Sequence, residues 1–168
     1  MMDDVSIRAA SDEDVRKLIE DRYDRHHLLD HLHHRRGILL LALVGEGLAG
    51  HLFLRFAPPE EPELRDGLPG VPLLQHLRVM ERHQRSGVAR RLLAEAEDRL
   101  RALGHGRVAL GVHPDNHRAI RLYEDLSFTA WRDRHLATFR EHVLEDGNTV
   151  RVQEPCLVLV KQLAPPSG

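Results

Sequence analysis

The sequence predicts an α/β fold of the mixed α+β kind, in which a central mixed sheet carries helices on both faces. A strand, an amphipathic helix and a second strand follow one another within residues 73–113, and two aliphatic runs joined by a glycine turn precede them at 37–56. A strand–helix–strand unit makes its strands parallel, whereas a tight hairpin makes them antiparallel, so the sheet is mixed. At 168 residues, the chain predicts a single domain at 1–163 and a tail at 164–168.

Composition and charge exclude several classes of protein. The formal net charge is -2 and the pI about 6.7, so we expect no nucleic-acid partner. No apolar run reaches the ~20 residues of a membrane-spanning helix, so we expect no membrane partner. The one cysteine, Cys156, cannot form an internal disulfide, and the acidic N-terminus is unlike a signal peptide. These features predict a cytoplasmic protein.

The N-terminal part predicts a strand and two helices. Residues 5–9 alternate apolar and polar, as in a half-buried strand. Residues 11–14 supply an N-cap and a capping-box acid for the next helix. Residues 23–36 hold five of the thirteen histidines, at 26, 27, 31, 33 and 34. His27 and His31 could share a helix face as a metal pair, but no third ligand is apparent and Arg35 and Arg36 would repel a cation. We therefore expect a solvated helix, or a lid over a pocket, and no metal site.

Two aliphatic runs at 37–44 and 50–56 predict a hairpin, with Gly45-Glu46-Gly47 as its turn. The next segment, 57–72, is rich in proline and in acidic residues and predicts an exposed loop. It is either a solvated connector or an acidic rim that attracts a cationic ligand.

Residues 73–103 predict a strand over 73–80 followed by an amphipathic helix. Apolar residues recur at spacings of three and four and define one helix face, at Val88, Leu92, Ala96, Leu100 and Leu103. Gly104 follows, where a left-handed C-cap is favoured. A second buried strand is predicted over 107–113. Ligands in such units bind at the carboxyl ends of the strands.

The turn before this helix is cationic and contains Gly87. A strand that ends in such a turn directs several backbone N–H groups and the positive end of the helix dipole at one spot. Arg85 and Arg90 flank Gly87, so phosphate is the expected anion. A glycine in a strand-to-helix turn is also common where no ligand binds.

Two segments resemble motifs of one enzyme family. Gln84-x-x-Gly87-x-Ala89 is similar to the acetyl-coenzyme A (acetyl-CoA) signature of the Gcn5-related N-acetyltransferase (GNAT) family, which has Arg or Gln, two residues, Gly, one residue, then Gly or Ala. The segment 116–128 is similar to the family's downstream motif. The matching residues are Asn116, Ala119, Tyr123 and Phe128, and Ser127 replaces the family's Gly. The resemblance is sharp over 74–128 and implies the GNAT-like acyl-CoA N-acyltransferase fold.

The resemblance also implies a role for each matching residue. Turn amides at 85–90 would hold the pyrophosphate of acetyl-CoA, and Asn116 the pantetheine arm. The backbone of Val79 would pair with pantetheine and help to polarise the thioester carbonyl. The hydroxyl of Tyr123 would protonate the departing thiolate as general acid, which a phenol with a pKa near 10 can do. The implied cofactor-binding residues are Leu77, Val79, Gln84, Arg85, Ser86, Gly87, Val88, Ala89, Arg90, Asn116 and Tyr123.

A general base is not evident. Family members with a Glu two residues before His113 have Gly111 here, so that base is absent. His113 lies on the same strand face and is the first candidate, and His76 and His51 are alternatives. A base acting through water, or an acceptor that arrives neutral, also stays open. In the family, the region around residues 26–34 lines the acceptor site, so its histidines are candidates for acceptor selection.

The C-terminal part predicts short strands at 129–131, 135–139, 149–152 and 156–160, with a turn at 146–148. Cys156 is expected to be buried in the last strand and not to carry an acyl group, because nothing near it in sequence lowers its pKa.

We therefore expect an acetyl-CoA-dependent N-acetyltransferase that acts by direct transfer in a ternary complex and uses no metal. The expected acceptor is a primary amine of a small molecule, and a protein N-terminus or lysine is the alternative. A CoA-binding sensor without chemistry is a third possibility. Dimers are common among relatives, so a homodimer is an open expectation.

Overall fold

Residues 4–164 are described by the computed structural model, apart from the side chains of 139–143. From residue 165 on, the predicted tail lies outside the described residues. In chain order the elements are β1 (Val5–Ala9), α1 (Asp12–Leu18), α2 (Arg22–His33), β2 (Gly37–Val44), β3 (Gly47–Arg55), α3 (Pro62–Gly67), β4 (Leu73–Val79), a 3₁₀ turn (Glu81–His83), α4 (Val88–Ala102), β5 (Arg107–Val112), α5 (His117–Asp125), β6 (Thr129–Ala130), β7 (Leu136–Val143) and β8 (Thr149–Gln162).

The strands form a mixed sheet in the order β1-β2-β3-β4-β5-β8-β6, and β7 pairs with β8 beside this path. The predicted strand–helix–strand unit is present, and β4 and β5 are parallel. Every other described strand pair is antiparallel. The prediction of a mixed sheet with a parallel unit at 73–113 is confirmed.

The core lies on both faces of the sheet. On one face, α4 and α5 pack over β2–β5 through a large apolar cluster that includes Leu92, Ala96 and Leu100. On the other face, α1 and α2 cover β2 and β3 through a cluster around Leu28 and Phe53. A third cluster lies near α3, β7 and β8. Helices therefore shield both faces, as predicted.

Local signals account for the N-terminal elements. Ser11 caps α1 and forms the capping box with Asp14, as predicted. The β2–β3 hairpin turns at Gly45, which has a φ of +62°, and Val44 pairs with Gly47. Gly47 therefore begins β3 and does not belong to the turn. Among residues 4–164, no helix combines the length and the apolar character required to cross a membrane.

The segment 57–72 is not a plain loop, because it contains α3. Pro62 stands in the first turn of α3, where its missing N–H costs nothing, and Leu64 is buried beneath it. The prediction of a loop over 57–72 is wrong at this helix, because its high proline content is typical of a loop.

The amphipathic face of α4 differs from the predicted one at two positions. Leu103 is 61% exposed, whereas Glu97, expected on the polar face, is buried. The Glu97 carboxylate lies 2.7 Å from the Lys161 ammonium and 3.3 Å from the Arg101 guanidinium. Two positive partners compensate the cost of burying this charge.

The two last predicted strands are parts of one strand, β8, which runs through Pro155. Around Pro155, β8 pairs with β7 on one side only among the described strands. The missing N–H of a proline is tolerated at such an open edge.

Candidate active site

A gap between β4 and β5 lies at the centre of the candidate site. The two strands pair only at Leu73 with Ala109 and at Leu74 with Leu110. Beyond these pairs the described strands separate, so the rest of β4 has an unpaired edge. The N–H of Met80 bonds to β3, at 2.8 Å from the carbonyl of Ala49. Because amides alternate in direction along a strand, the N–H of Val79 points away from β3 and into the gap.

Strand β4 carries a bulge where the gap opens. Gln75 pairs with Phe53 and Arg78 with His51, so two residues of β4, His76 and Leu77, face one residue of β3. His76 has a φ of +56°, which is uncommon for a residue with a side chain. Bulges of this kind are frequent beside active sites, where they redirect a strand.

The N-terminus of α4 follows β4 after the 3₁₀ turn and is uncapped. Gly87, the N-cap residue, has a φ of +85° and offers no side chain, and the first turn of α4 contains no acidic residue. By contrast, α1, α2 and α5 each have a side-chain cap. The first N–H groups of α4 therefore have no internal acceptor and suit an anion.

The turn itself is exposed, and buried Val88 anchors it to the core. Arg85 takes a φ of +63°, and the Ser86 hydroxyl donates to the carbonyl of His83. The side-chain amide of Gln84 lies 3.4 Å from the carbonyl oxygen of Val79 and links the turn to the end of β4. Val79, Gln84, Arg85, Ser86 and Val88 are predicted cofactor-site residues, and the structure places them close together, whereas His83 is not among the predicted residues.

A cationic groove of about 410 Å³ adjoins the start of α4. Its lining includes Arg90 together with His117, Arg118 and Arg121 of α5. Asp125 lies 3.6 Å from Arg90 and offsets part of this charge. Sequence reasoning missed Arg118 and Arg121, although their spacing of three on a helix places both on one face.

Asn116 and Tyr123 lie on the same face of the sheet as α4. The Asn116 side chain accepts a hydrogen bond from the N–H of Ala119 at 3.2 Å and caps α5. Tyr123 is half-buried, and its ring lies edge-to-face with Phe128 at 5.7 Å between centroids. Burial raises the pKa of the phenol, which keeps it protonated at neutral pH. Leu77 packs against the same apolar cluster as Tyr123.

Position 111 has no room for the carboxylate that some relatives carry. A Cβ on Gly111 would lie 2.6 Å from the Cys156 sulfur. Cys156 is half-buried rather than fully buried, and burial raises the pKa of its thiol to about 11.

His113 is engaged in the turn that follows β5. Its Nδ1 accepts from the N–H of Asp115 at 3.1 Å. In the neutral ring the proton then resides on Nε2, so His113 has no vacant lone pair while that bond holds. This arrangement favours a role in the turn over a role as base.

Three histidines lie close together at the bulge, on the face of the sheet opposite α4. The Nε2 atoms of His31 and His76 lie 3.3 Å apart. The Nδ1 of His51 lies 2.7 Å from the carbonyl oxygen of His76. Within the described residues, no group of three potential ligands is placed to hold a metal ion. The ring of His27 lies against that of Tyr23, at 4.2 Å between centroids and with a tilt of 54° between the ring planes.

The acidic segment before β4 is partly neutralised by arginines from later in the chain. Glu63 pairs with both Arg132 and Arg134, and Glu60 lies 3.6 Å from Arg151. These contacts fasten α3 to the chain beyond α5 and weaken the proposed attraction for a cationic ligand.

Comparisons with known proteins agree with this geometry. Residues 5–128 match the model of the Acetyltransferase (GNAT) family. No curated protein matches the chain in sequence.

Several solved structures share the fold. An acetyltransferase from Bacillus subtilis in complex with CoA superposes with a TM-score of 0.68 at 18% identity, covering 96% of this chain and 100% of that one. The ribosomal-protein-S18-alanine N-acetyltransferase from Escherichia coli gives 0.65 at 18% identity, covering 98% and 97%. The IAA acetyltransferase from Bacillus cereus ATCC 14579 gives 0.66 at 18% identity, covering 95% and 100%. With the family match over most of its length, the chain belongs to the GNAT acetyltransferase family.

Proposed function

We propose that this chain transfers the acetyl group of acetyl-CoA to a primary amine of a small molecule, by direct transfer in a ternary complex. One observation carries the proposal: β4 and β5 stop pairing after Leu74, and the turn before the uncapped N-terminus of α4 contacts the end of the open part of β4 at Val79. The gap suits the extended pantetheine arm, and the helix N-terminus suits a pyrophosphate.

The residues present fit acetyl-CoA, which supplies an activated acetyl thioester. The amides of residues 85–90 would hold its pyrophosphate, and Arg118 and Arg121 would add positive charge beside it. The backbone of Leu77 and Val79 would pair with the pantetheine arm along the open edge of β4. The side chain of Asn116 would contact the arm from the start of α5.

Tyr123 is the proposed general acid. Its pKa is raised by burial, so the phenol is a donor throughout the neutral range. It would give its proton to the departing sulfur. The base predicted at His113 stays a proposal, weakened by the bond between its Nδ1 and the backbone of Asp115.

A small acceptor is favoured because the face opposite α4 is partly covered at the bulge. Helix α2 is tied to β4 by the His31–His76 contact and by the ion pair of Asp24 with Arg78. A covered approach of this kind suits a narrow amine better than a folded protein. The cytoplasmic location and the homodimer stay predictions.

Thiol release tests the proposal. Purified protein is incubated with acetyl-CoA and separate amine pools: amino sugars, free amino acids, polyamines, and peptides with either a free N-terminus or only a free lysine. Thiol release that depends on a small amine, with acetylated product found by mass spectrometry, would support the assignment. Turnover with the peptides alone would transfer it to protein acetylation. Tight acetyl-CoA binding without turnover on any pool would favour a sensor.

A further inference from the structure

The cationic groove beside α4 contains two arginines whose charges have no partner in the fold. Arg118 and Arg121 are exposed, and within the described residues neither forms a hydrogen bond or an ion pair. They lie three residues apart on α5, where neighbouring like charges slightly destabilise a helix. The contacts of α5 therefore do not explain why both positions are arginine.

Both arginines belong to the face of α5 that borders the start of α4. The groove is lined at spacings of three and four by Arg118, Arg121, Leu122 and Asp125. Its lining also includes Arg90, which stands in the first turn of α4. The Arg90 guanidinium lies 3.6 Å from the Asp125 carboxylate. This contact joins the groove to the N-terminus of α4.

The charge and the size of the groove suit a phosphate monoester. Three guanidinium groups and one carboxylate line it, which leaves a net positive charge even when His117 is neutral. A phosphate monoester carries about −1.5 to −2 charges at neutral pH, and guanidinium groups bind phosphate oxygens through paired N–H groups. The volume of about 410 Å³ falls within the usual range of small-ligand sites, about 300–1,000 Å³.

Acetyl-CoA carries phosphate at two places, and the N-terminus of α4 suits only one of them. The free N–H groups at the start of α4 suit the pyrophosphate. The 3′-phosphate is separated from the pyrophosphate by one ribose, so it has to bind within a nucleotide's length of that turn. The groove extends from Arg90 to α5, and Asn116 already caps the N-terminus of α5. Arginine side chains, rather than helix amides, therefore supply the positive charge there.

We propose that Arg118 and Arg121 bind the 3′-phosphate of acetyl-CoA, so that the protein distinguishes acetyl-CoA from acetyl-dephospho-CoA, which lacks this group. The inference rests on binding of acetyl-CoA at the turn before α4, as in the proposed function. The 3′-phosphate is remote from the thioester, so its contacts are the same in the ground state and the transition state. Such contacts lower KM and leave kcat unchanged.

Calorimetric titration with the two cosubstrates tests the proposal. We expect the wild type to bind acetyl-CoA about tenfold more tightly than acetyl-dephospho-CoA, as for a charge-assisted hydrogen bond. In the double variant Arg118→Gln, Arg121→Gln, the Kd for acetyl-CoA should rise to that for acetyl-dephospho-CoA, which should itself be unchanged. Equal affinity of the wild type for both ligands would overturn the proposal. So would a double variant that binds both ligands more weakly by the same factor, because the arginines would then act on the pyrophosphate.

Two further variants separate the charge of the groove from damage to the fold. Arg16 of α1 is also exposed and has no partner within the described residues, and α1 covers the other face of the sheet, so Arg16→Gln should change neither Kd. Asp125→Asn removes the carboxylate that lines the groove. We expect it to bind acetyl-CoA about twofold to fivefold more tightly, as for one exposed charge interaction, with a smaller change for acetyl-dephospho-CoA. Unchanged or weaker binding of acetyl-CoA in Asp125→Asn would count against the proposal.

Competition distinguishes a nucleotide 3′-phosphate from free phosphate. Adenosine 3′,5′-bisphosphate should displace acetyl-CoA from the wild type at lower concentration than AMP, and the two should be equal in the double variant. Displacement by inorganic phosphate at the same concentration as the bisphosphate would assign the groove to a free anion and overturn the proposal.

The binding experiment requires no acceptor amine, so this inference and the proposed function can fail separately. Absent turnover with the preference for acetyl-CoA intact would count against the proposed acetyl transfer alone. Equal binding of the two cosubstrates, with turnover intact, would count against the role of Arg118 and Arg121 alone. No binding of acetyl-CoA by the wild type would overturn both.

Discussion

Replacing Tyr123 by phenylalanine removes one oxygen atom and tests the proposed acid. The hydroxyl makes no hydrogen bond within residues 4–164, and burial is the cause of its raised pKa. Removing it therefore leaves no buried group unpaired, and the edge-to-face contact with Phe128 persists. We expect the free energy of unfolding to change by less than about 0.5 kcal/mol.

Activity should respond very differently. A positioned general acid contributes about 100-fold to 10,000-fold to rate, so kcat should fall by that factor in Tyr123→Phe while KM for acetyl-CoA is unchanged. Because burial raises the pKa of the phenol, the wild-type kcat should hold until above pH 10 and then decline, and the variant should lack this decline. The assay is steady-state thiol release at a saturating acceptor. Unchanged turnover in the variant would refute the assignment of Tyr123.

Three further predictions concern packing, the thiol and pH. A Cβ on Gly50 would lie 2.7 Å from the carbonyl oxygen of Arg78 and 3.2 Å from Val88 of α4, so Gly50→Ala should lower the free energy of unfolding in urea by about 1–3 kcal/mol; an unchanged value would show that α4 packs differently. Burial raises the pKa of Cys156 to about 11, so only about one molecule in 10,000 carries the thiolate at pH 7. Iodoacetamide should therefore react slowly with Cys156, and Cys156→Ala should keep the wild-type kcat. Loss of kcat in this variant would make Cys156 an acyl carrier. The pKa of His31 is lowered to about 4 in the fold, whereas in the unfolded chain the ring takes up its proton near pH 6.5. The contribution of His31 to the free energy of unfolding is therefore fully present above pH 6.5, and about 1–3 kcal/mol is lost as the pH drops to 4. His31→Phe should lack this part of the decline, and an identical decline in both proteins would contradict the lowered pKa.

The features that could be predicted from sequence are those with local causes. The capping box of α1, the Gly45 turn and the left-handed Gly104 each depend on a few adjacent residues. The parallel pairing of β4 and β5 follows from the handedness of a strand–helix–strand unit. Together these features place the two family motifs at the carboxyl ends of neighbouring strands. Most residues of the candidate cofactor site could therefore be predicted from the sequence.

The features that sequence reasoning missed depend on partners far apart in the chain. Glu97 is buried because Lys161 of β8 reaches it, and no periodicity within α4 reports that contact. The bulge at His76 depends on the register of β4 against β3, and its ring depends on His31 of α2. The helix over residues 26–34 follows from the local sequence, and His26, His33 and His34 are exposed as expected, whereas the contact of His31 with β4 does not follow from it.

Binding of acetyl-CoA to the turn before α4 is the central claim, and calorimetric titration tests it most directly. Gly87 offers a matched pair, since a Cβ there meets nothing within 4 Å and both Asn and Asp tolerate its positive φ. The two variants differ in one negative charge at the proposed pyrophosphate site. We predict that the wild type binds acetyl-CoA, that Gly87→Asp binds at least tenfold more weakly than Gly87→Asn, corresponding to about 1.4 kcal/mol, and that ATP competes poorly. No heat of binding with the wild type at millimolar acetyl-CoA, or equal affinity in the two variants, would contradict the account.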